Sequence, residues 1–264
     1  MPTFDSYAQG TPCYVELTTP DTSAAKAFYG ELFGWSLADR PVGENGETYV
    51  TVAVEGDAVA GISSQMPELA GHPAFWGVFL AVDDVDATVA AVPTAGGKVD
   101  AEPFDVRDLG RMAAIQDPTG ARVNLWEARS AIGTERANEP GTPIWNELVS
   151  PDIETATGFY AELLGVTWED APVAEDSVLA SYKMLQVDGR AVAGAVRPPM
   201  EGLPPHWNVY FNVADVEESV AKAESLGGRT MVPTFDVPDV GRMAMLADPQ
   251  GGSFWLMGAS PEAA

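Results

Sequence analysis

The sequence predicts an α+β protein made of two tandem copies of one module, and each copy has the order strand, helix and three strands twice. The first observation behind this prediction is a chain-long internal repeat. The second is that segments with helical one-face spacing alternate with short apolar runs that end at Gly-rich turns. The third is that 264 residues with 46% hydrophobic content suffice for one large or two ordinary packed domains, and the repeat favours two.

The repeat emerges when the two halves of the chain are aligned. Most matched segments lie 131 residues apart, and the spacing becomes 133 in one stretch, where a loop of the second copy is two residues longer. The matches include Gly10-Thr11-Pro12 with Gly141-Thr142-Pro143, Phe28-Tyr29 with Phe159-Tyr160, Tyr49 with Tyr182, Gly61 with Gly194, and Asp117-Pro118 with Asp248-Pro249. We expect copy one at residues 1–128, a linker at 129–140 and copy two at 141–264.

The first half of copy one predicts a strand, a helix and a hairpin. Residues 14–19 alternate and precede Pro20-Asp21, which favours a strand that ends at a helix cap. In the following helix, Phe28, Tyr29, Leu32 and Phe33 share one face, and Gly34 ends it. Residues 49–54 and 58–62 flank a turn and form the expected hairpin.

The second half of copy one repeats this order. Residues 75–82 form an apolar strand, and Asp84 caps a helix whose apolar side is Val85, Val89 and Val92. Short strands are expected near Lys98, at residues 111–116 and at residues 121–126.

Composition and charge exclude several classes of partner. The formal net charge of −25 would repel phosphate backbones, so we expect no nucleic-acid partner. The apolar runs are far shorter than the roughly 20 residues that a membrane helix needs, so we expect no membrane partner and a cytoplasmic location. Cys13 is the only cysteine, and its apolar strand predicts a buried structural thiol.

Three motifs carry a resemblance to a known superfamily. They are Phe28-Tyr29-x-x-Leu32-Phe33-Gly34-Trp35, Val82-Asp83-Asp84-Val85 and Asp117-Pro118-Thr119-Gly120. Together with the doubled βαβββ order they resemble the vicinal oxygen chelate superfamily, which includes glyoxalase I, extradiol dioxygenases, fosfomycin-modifying enzymes and bleomycin-resistance proteins. The resemblance implies that each copy forms an open, curved mixed sheet with helices on the outside. The tandem form looks most like a glyoxalase-like actinobacterial branch.

The resemblance also implies where metal ligands would lie. Metal-dependent members place a ligand, usually His, on the first strand of each unit, and another, usually Glu, on a late strand. The corresponding positions here are Tyr14, Gly77 and Asn124 in copy one, and Trp145, Asn208 and Trp255 in copy two. Because none of them is His, Asp, Glu or Cys, we expect no metal and no other cofactor.

Strand alternation places further side chains on the same concave face as these positions. In copy one the face is mostly apolar and carries Glu16 and Phe79. In copy two it carries Glu147, His206 and Tyr210 beside aromatic residues, a mixture that suits a small-molecule site.

The two matched glutamates have alternative interpretations. Glu16 and Glu147 are flanked by apolar residues, so burial should raise the pKa of each. Either could act as a general base or as the partner of a cationic ligand. Alternatively, each is a structural anchor bonded to the backbone or to an arginine such as Arg111 or Arg242.

The other polar and aromatic candidates also have two interpretations. His206 could exchange protons near neutral pH, or it could simply be solvated at the start of its strand. Trp145 and Trp255 could stack on a flat ligand, or they could fill the space that a metal occupies in relatives.

The leading hypothesis is a metal-free protein that binds an aromatic or cationic organic molecule, chiefly in copy two. Catalytic candidates are Glu147 and His206. Ligand-binding candidates are Tyr14, Glu16, Phe79, Asn124, Trp145, Asn208, Tyr210 and Trp255. The alternatives are an enzyme, either a glyoxalase-like lyase or isomerase or a hydroxylase or dioxygenase, and a protein-contact module whose cavities are filled. Because four βαβββ units already lie in one chain, either a monomer or a homodimer is expected.

Overall fold

The computed structural model describes residues 3–42, 47–171 and 182–259 and contains the predicted βαβββ units, two in each copy. Copy one has β1 (Pro12–Thr19), α1 (Thr22–Phe33), β2 (Ser36–Val42), β3 (Glu47–Val54), β4 (Asp57–Ser64), β5 (Phe75–Ala81), α2 (Val85–Ala91), β6 (Lys98–Val106), β7 (Gly110–Gln116) and β8 (Arg122–Ala128). Copy two has β9 (Pro143–Val149), α3 (Ile153–Leu164), β10 (Thr167–Asp170), β11 (Lys183–Val187), β12 (Arg190–Val196), β13 (His206–Asn212), α4 (Val216–Ser225), β14 (Arg229–Val237), β15 (Gly241–Ala247) and β16 (Ser253–Gly258). A short 3-10 helix spans Pro67–Leu69. None of the helices in the described ranges is both long enough and apolar enough to span a bilayer.

Each copy forms one mixed sheet of eight strands, as predicted. The strand order is β2-β3-β4-β1-β5-β8-β7-β6 in copy one and β10-β11-β12-β9-β13-β16-β15-β14 in copy two. The first strands of the two units lie side by side and antiparallel, β1 with β5 and β9 with β13. Each also has a parallel partner, as in the pairs β1 with β4 and β13 with β16. First-strand side chains therefore project from the middle of each sheet, where the candidate site lies.

The predicted helix ends are confirmed. The Asp21 carboxylate accepts hydrogen bonds from the backbone N–H of Ser23 (2.9 Å) and Ala24 (3.0 Å), so it caps α1. The helix stops at Gly34, whose φ of 71° is left-handed and suits glycine. Asp84 caps α2 through the N–H of Ala87 (2.9 Å).

Two strands lack a clear signal in the sequence. Both β2 and β10 lie at sheet edges, where the strand has a hydrogen-bonded neighbour on one side only. The β2 sequence contains Pro41, a residue that sheets tolerate at edges but that weakens a sequence-based strand prediction.

The two copies share a single hydrophobic core. The helices pack on one face of each sheet, and the helix-bearing faces of the two sheets meet. Residues from both copies form one buried cluster, and Phe211 of β13 lies against Trp76 of β5 with ring centroids 5.0 Å apart. The opposite faces, which carry Tyr14 and Phe79 in copy one and Tyr210 and Trp255 in copy two, therefore point away from this core.

Two matched polar contacts cross between the copies. The Tyr29 hydroxyl donates to Asp248 Oδ2 (2.8 Å), and the Tyr160 hydroxyl faces Asp117 Oδ2 (3.4 Å). The Trp76 indole N–H donates to the Tyr29 hydroxyl (3.0 Å). Each copy thus supplies a tyrosine to the Asp-Pro turn of the other.

The segment that joins the copies packs against copy one. The backbone N–H of Thr134 donates to the Cys13 carbonyl (2.7 Å), and the Trp126 indole N–H donates to the Ala131 carbonyl (3.0 Å). Arg136 is 6% exposed and forms an ion pair with Asp57 (2.8 Å). Residues 129–140 are therefore an ordered part of this domain's surface.

Candidate functional site

The carboxylate of Glu147 lies at the centre of the copy-two face. Glu147 is 8% exposed and stands on β9 opposite Asn208 of β13. Its Oε1 accepts hydrogen bonds from the Tyr210 hydroxyl (2.9 Å) and the Asn208 amide (3.3 Å). The Tyr182 hydroxyl is a third donor, and it accepts a hydrogen bond from the Trp145 indole (2.8 Å).

Burial raises the pKa of Glu147 above its ordinary value of 4.5. The donors Tyr210, Asn208 and Tyr182 oppose this shift, but desolvation is the larger effect. All three donors are neutral, and no Lys, Arg or His of the described residues forms an ion pair with Glu147. The carboxylate therefore carries an uncompensated negative charge when it ionises.

This raised pKa predicts a pH-dependent stability difference between wild type and Glu147→Gln. Near pH 4 the glutamate is largely protonated in both folded and unfolded chains. As pH rises, the unfolded chain ionises first, so ionisation favours unfolding until the raised pKa is passed. We expect Glu147→Gln to gain stability relative to wild type as pH rises from about 4.5, measured by urea denaturation between pH 4 and 8.

Tyr210→Phe provides the matched comparison for that experiment. Phenylalanine occupies the corresponding position in copy one, Phe79, so the strand accommodates it. Removing the hydroxyl donor should raise the Glu147 pKa further and extend the stability loss to higher pH. If the free energy of unfolding of Glu147→Gln changed with pH in parallel with that of wild type across this range, the raised pKa of Glu147 would be contradicted.

An aromatic wall stands beside Glu147. The rings of Tyr210 and Trp255 stack with centroids 5.4 Å apart and planes 12° from parallel. Phe235, which is 40% exposed, meets the Trp255 ring edge-on at 6.2 Å. The Trp255 indole N–H is buried and has no hydrogen-bond partner in the described part of the chain.

His206 connects to Glu147 through one amide. Its Nδ1 lies 2.8 Å from the Pro204 carbonyl oxygen, and its Nε2 lies 3.2 Å from Asn208 Oδ1. The same Asn208 donates to Glu147, which gives a continuous chain of hydrogen-bonding groups from the half-buried imidazole to the carboxylate. The structure thus brings together Glu147, His206, Asn208, Tyr210, Trp145 and Trp255.

The corresponding face of copy one is more apolar. Glu16 accepts a hydrogen bond from the Ser63 hydroxyl (2.7 Å), and burial raises its pKa. The Tyr14 hydroxyl lies 2.9 Å from that of Tyr49, and its ring meets Phe79 edge-on at 5.7 Å. Asn124 lies beside Phe79 on the adjacent strand. Tyr14, Glu16, Phe79 and Asn124 therefore share one face.

Neither Glu16 nor Glu147 pairs with Arg111 or Arg242, so the alternative in which an arginine anchors these glutamates is wrong. Arg111 pairs with Asp86 (2.7 Å) and Asp105 (2.9 Å). Arg242 likewise pairs with Asp236 and Glu217. Each arginine joins a strand to the neighbouring helix, a structural task shared by both copies.

Sequence reasoning missed two tyrosines of the site. Tyr49 and Tyr182 reach over Gly61 and Gly194 respectively, where an added Cβ would overlap the phenol ring. The signal was present, since both pairs keep the 133-residue spacing of the repeat. The glycines make room for the tyrosine that donates to the carboxylate.

The side chains at the family's metal positions do not fit a metal centre. They offer phenol, amide, indole or, at Gly77, no side chain. Across the described ranges, no three His, Cys, Asp or Glu residues cluster as metal ligands would. Transition metals need two or three converging N, S or O donors of those types, so Glu147 by itself does not make such a site.

Two family descriptions match the two copies. Residues 12–125 match "Glyoxalase/Bleomycin resistance protein/Dioxygenase superfamily", and residues 147–257 match "Glyoxalase-like domain".

Similar proteins of comparable length are also known. "Putative glyoxylase CFP32" of Mycobacterium tuberculosis (strain CDC 1551 / Oshkosh) is 43% identical over 99% of this chain and 100% of its own. "Anthracycline biosynthesis protein DauV" of Streptomyces sp. (strain C5) is 36% identical over 94% of this chain and 93% of its own.

Solved structures share the fold. The Mn(II)-bound glyoxalase of Novosphingobium aromaticivorans has a TM-score of 0.65 at 19% identity, covering 96% of this chain and 83% of its own. The 2,3-dioxygenase LapB of Pseudomonas sp. KL28 has a TM-score of 0.64 at 15% identity, covering 96% and 94%. With both copies matched and the full length aligned to relatives, the chain belongs to the glyoxalase/bleomycin resistance protein/dioxygenase superfamily and carries two of its domains in tandem.

Proposed function

We propose that the chain binds a small organic molecule on the copy-two face, without a metal, and that the molecule carries both a flat ring and a cationic group. The observation that carries this proposal is the Glu147 carboxylate, which is buried, meets only neutral donors and lacks a counter-cation among the described residues. A buried carboxylate of this kind gains most from a ligand that brings a positive charge.

The surrounding side chains support the aromatic part of the ligand. Trp255 offers a half-buried ring backed by the stacked ring of Tyr210, and Phe235 adds an exposed apolar edge. Ring stacking and cation–π contact both favour a flat cation at such a wall. The unpartnered Trp255 N–H would be satisfied by an acceptor on the ligand.

The name of one relative agrees with this ligand class. DauV is named for anthracycline biosynthesis. Anthracyclines combine a fused planar ring system with a protonated amino sugar, and the copy-two face offers a partner to each. This agreement supports the ligand class.

Fluorescence titration with two planar probes tests the proposal. We expect the cation proflavine to bind and the anion 9-anthracenecarboxylate to bind at least about tenfold more weakly, because only the cation gains from Glu147. Glu147→Gln should lower the affinity for proflavine about tenfold or more and leave the affinity for 9-anthracenecarboxylate little changed. The wild-type affinity for proflavine should rise with pH as Glu147 ionises.

Glu169→Gln is the matched control, since it removes one exposed carboxylate from β10. Equal loss of proflavine binding in both variants, or equal affinity for both probes, would contradict the proposal. Stoichiometric, tight uptake of zinc, nickel, iron or manganese that is abolished by Glu147→Ala would contradict its metal-free part.

A second candidate is an enzyme that transfers protons through Glu147. The observation in its favour is that the Glu147 carboxylate and the half-buried His206 imidazole lie on one face and share Asn208 as a hydrogen-bond partner, so that one could take a proton from a substrate and the other return one to it. The reaction classes are a glyoxalase-like lyase or isomerase, or a hydroxylase or dioxygenase. Turnover of hemithioacetals or catechols by the purified chain, lost in Glu147→Gln, would favour this candidate over binding alone.

A further inference from the structure

An opening between two strands of copy one is filled by the segment that joins the copies. Pairing of β1 with β4 begins at Glu16 with Gly61, so the earlier parts of both strands are not paired with each other. Residues 134–135 lie between them. The Thr134 N–H donates to the Cys13 carbonyl (2.7 Å), and the Glu135 N–H donates to the Ala58 carbonyl (2.7 Å). The backbone of these two residues thus bridges both strands.

Side chains complete this internal docking. The Glu135 carboxylate accepts a hydrogen bond from the Ala58 N–H (2.8 Å). Arg136 forms ion pairs with Asp57 (2.8 Å) and Glu55 (3.1 Å) at the end of the opening. The occupant therefore uses its backbone for attachment and a charged side chain for recognition.

Copy two has the same opening. Pairing of β9 with β12 begins at Glu147 with Gly194. The preceding residues, 143–146, 187–188 and 190–192, line a cleft of about 700 Å³. The remaining wall of the cleft comes from the N-terminal segment, β1 and the connecting segment. Within the described ranges, no residue from outside the sheet hydrogen-bonds to Ile144, Ala191 or Val192.

Burial shows what the missing occupant would cover. Cys13 is 1% and Val59 0% exposed beneath the connecting segment. Their counterparts Ile144 and Val192 are only half-buried, and Ala191 is exposed. The copy-two strands therefore present backbone groups and apolar side chains that copy one keeps covered.

Two residues change the chemistry of the copy-two opening. Asn146 replaces Val15, is 8% exposed and has a side-chain oxygen without a hydrogen-bond partner in the described part of the chain. Arg190 replaces Asp57, so the turn that carries Glu55 and Asp57 in copy one carries one acid and one base in copy two. Arg190 is exposed and has no ion pair among the described residues.

We propose that this cleft is a docking site for an extended segment of a partner protein, held between β9 and β12 as residues 134–136 are held in copy one. The partner's backbone N–H groups would donate to carbonyls of Ile144 and Ala191, in the manner of strand addition. An acidic side chain would lie opposite Arg190, where copy one places Arg136 opposite Asp57. The internal occupant of the matched opening is a peptide, which favours a peptide over a small molecule here.

Peptide binding to the full chain tests the proposal. The probes are fluorescently labelled peptides with the sequence of residues 131–138, Ala-Ile-Gly-Thr-Glu-Arg-Ala-Asn, and the same peptide with the change Arg136→Glu. We expect the acidic peptide to bind more tightly than the native one in anisotropy titrations. Arg190→Asp should weaken the acidic peptide about fivefold and strengthen the native one, which reverses the preference.

Two further variants control the result. Arg229→Asp makes the same charge change on an exposed residue that does not line the cleft, and it should preserve the preference for the acidic peptide. Asn146→Val installs the copy-one residue. It should lower the affinity for both peptides, because their N–H groups can no longer donate to the side-chain oxygen of Asn146.

Other outcomes would overturn the proposal. One is the absence of saturable binding of either peptide at millimolar concentration. Another is that Arg190→Asp and Arg229→Asp change the preference for the acidic over the native peptide by the same amount. If neither peptide binds while Asn146→Val and Arg190→Asp both change the affinity for proflavine, the cleft belongs to a small molecule and peptide docking is wrong.

Discussion

Replacing Phe211 by alanine is expected to lower the free energy of unfolding by about 3–5 kcal/mol. Phe211 is fully buried where the two copies meet, with its ring 5.0 to 5.5 Å from those of Phe33, Trp35 and Trp76. Removal of the ring leaves a cavity bounded by both copies, and large aromatic side chains cannot collapse to fill it. Urea denaturation followed by tryptophan fluorescence and by circular dichroism measures the loss.

The same experiment tests whether the copies fold as one unit. Because a single buried cluster spans both, the two optical signals should change in one coincident transition in wild type and in the variant. Phe75→Ala is the control, since Phe75 is 43% exposed and its removal should cost about 1 kcal/mol or less. Two separated transitions in wild type would contradict a shared core.

Gly194→Ala is expected to cost about 1–3 kcal/mol and to disturb the site as well. The added methyl group would overlap the hydroxyl and ring of Tyr182, so the tyrosine must leave its position. Trp145 and Glu147 then lose the partner that links them. Loss of this donor should raise the pKa of Glu147 further, which extends its pH-dependent stability loss to higher pH.

Gly158→Ala is the matched control in the same copy. Gly158 lies within α3, is exposed, and has no heavy atom within 4 Å of the added Cβ. Alanine favours the helix, so this variant should gain about 0.5–1 kcal/mol. Equal, small effects of the two substitutions in denaturation would show that Tyr182 is not held over Gly194.

The periodic parts of the fold could be predicted from sequence because local physics determines them. Asp21 and Asp84 are good helix caps in any context, and Gly34 adopts a left-handed conformation at no steric cost. The repeat then carried each assignment from copy one to copy two. The edge strand β2, which contains Pro41, had no comparable signal because its partner β3 determines it.

The candidate site was predictable only in part. Alternation along β9 and β13 identified Glu147, Asn208 and Tyr210, because parity along a strand is a local property. Tyr182 lies just before β11 and reaches the carboxylate across Gly194. This approach depends on the tertiary fold, so alternation along β9 and β13 does not predict it. The ordered connecting segment was likewise invisible, since its polar composition resembles that of a flexible linker.

The exchange of Tyr29 and Tyr160 across the duplication constrains how the chain can diversify. A substitution at either tyrosine removes a contact to the opposite copy, so residues on the two sides of the seam, the contact region between the copies, must change together. The outward faces take no part in this exchange, and there the two copies differ: Tyr210 corresponds to Phe79, and Asn208 to Gly77. The protein therefore has a core to which both halves contribute and two outward faces that can differ in specificity.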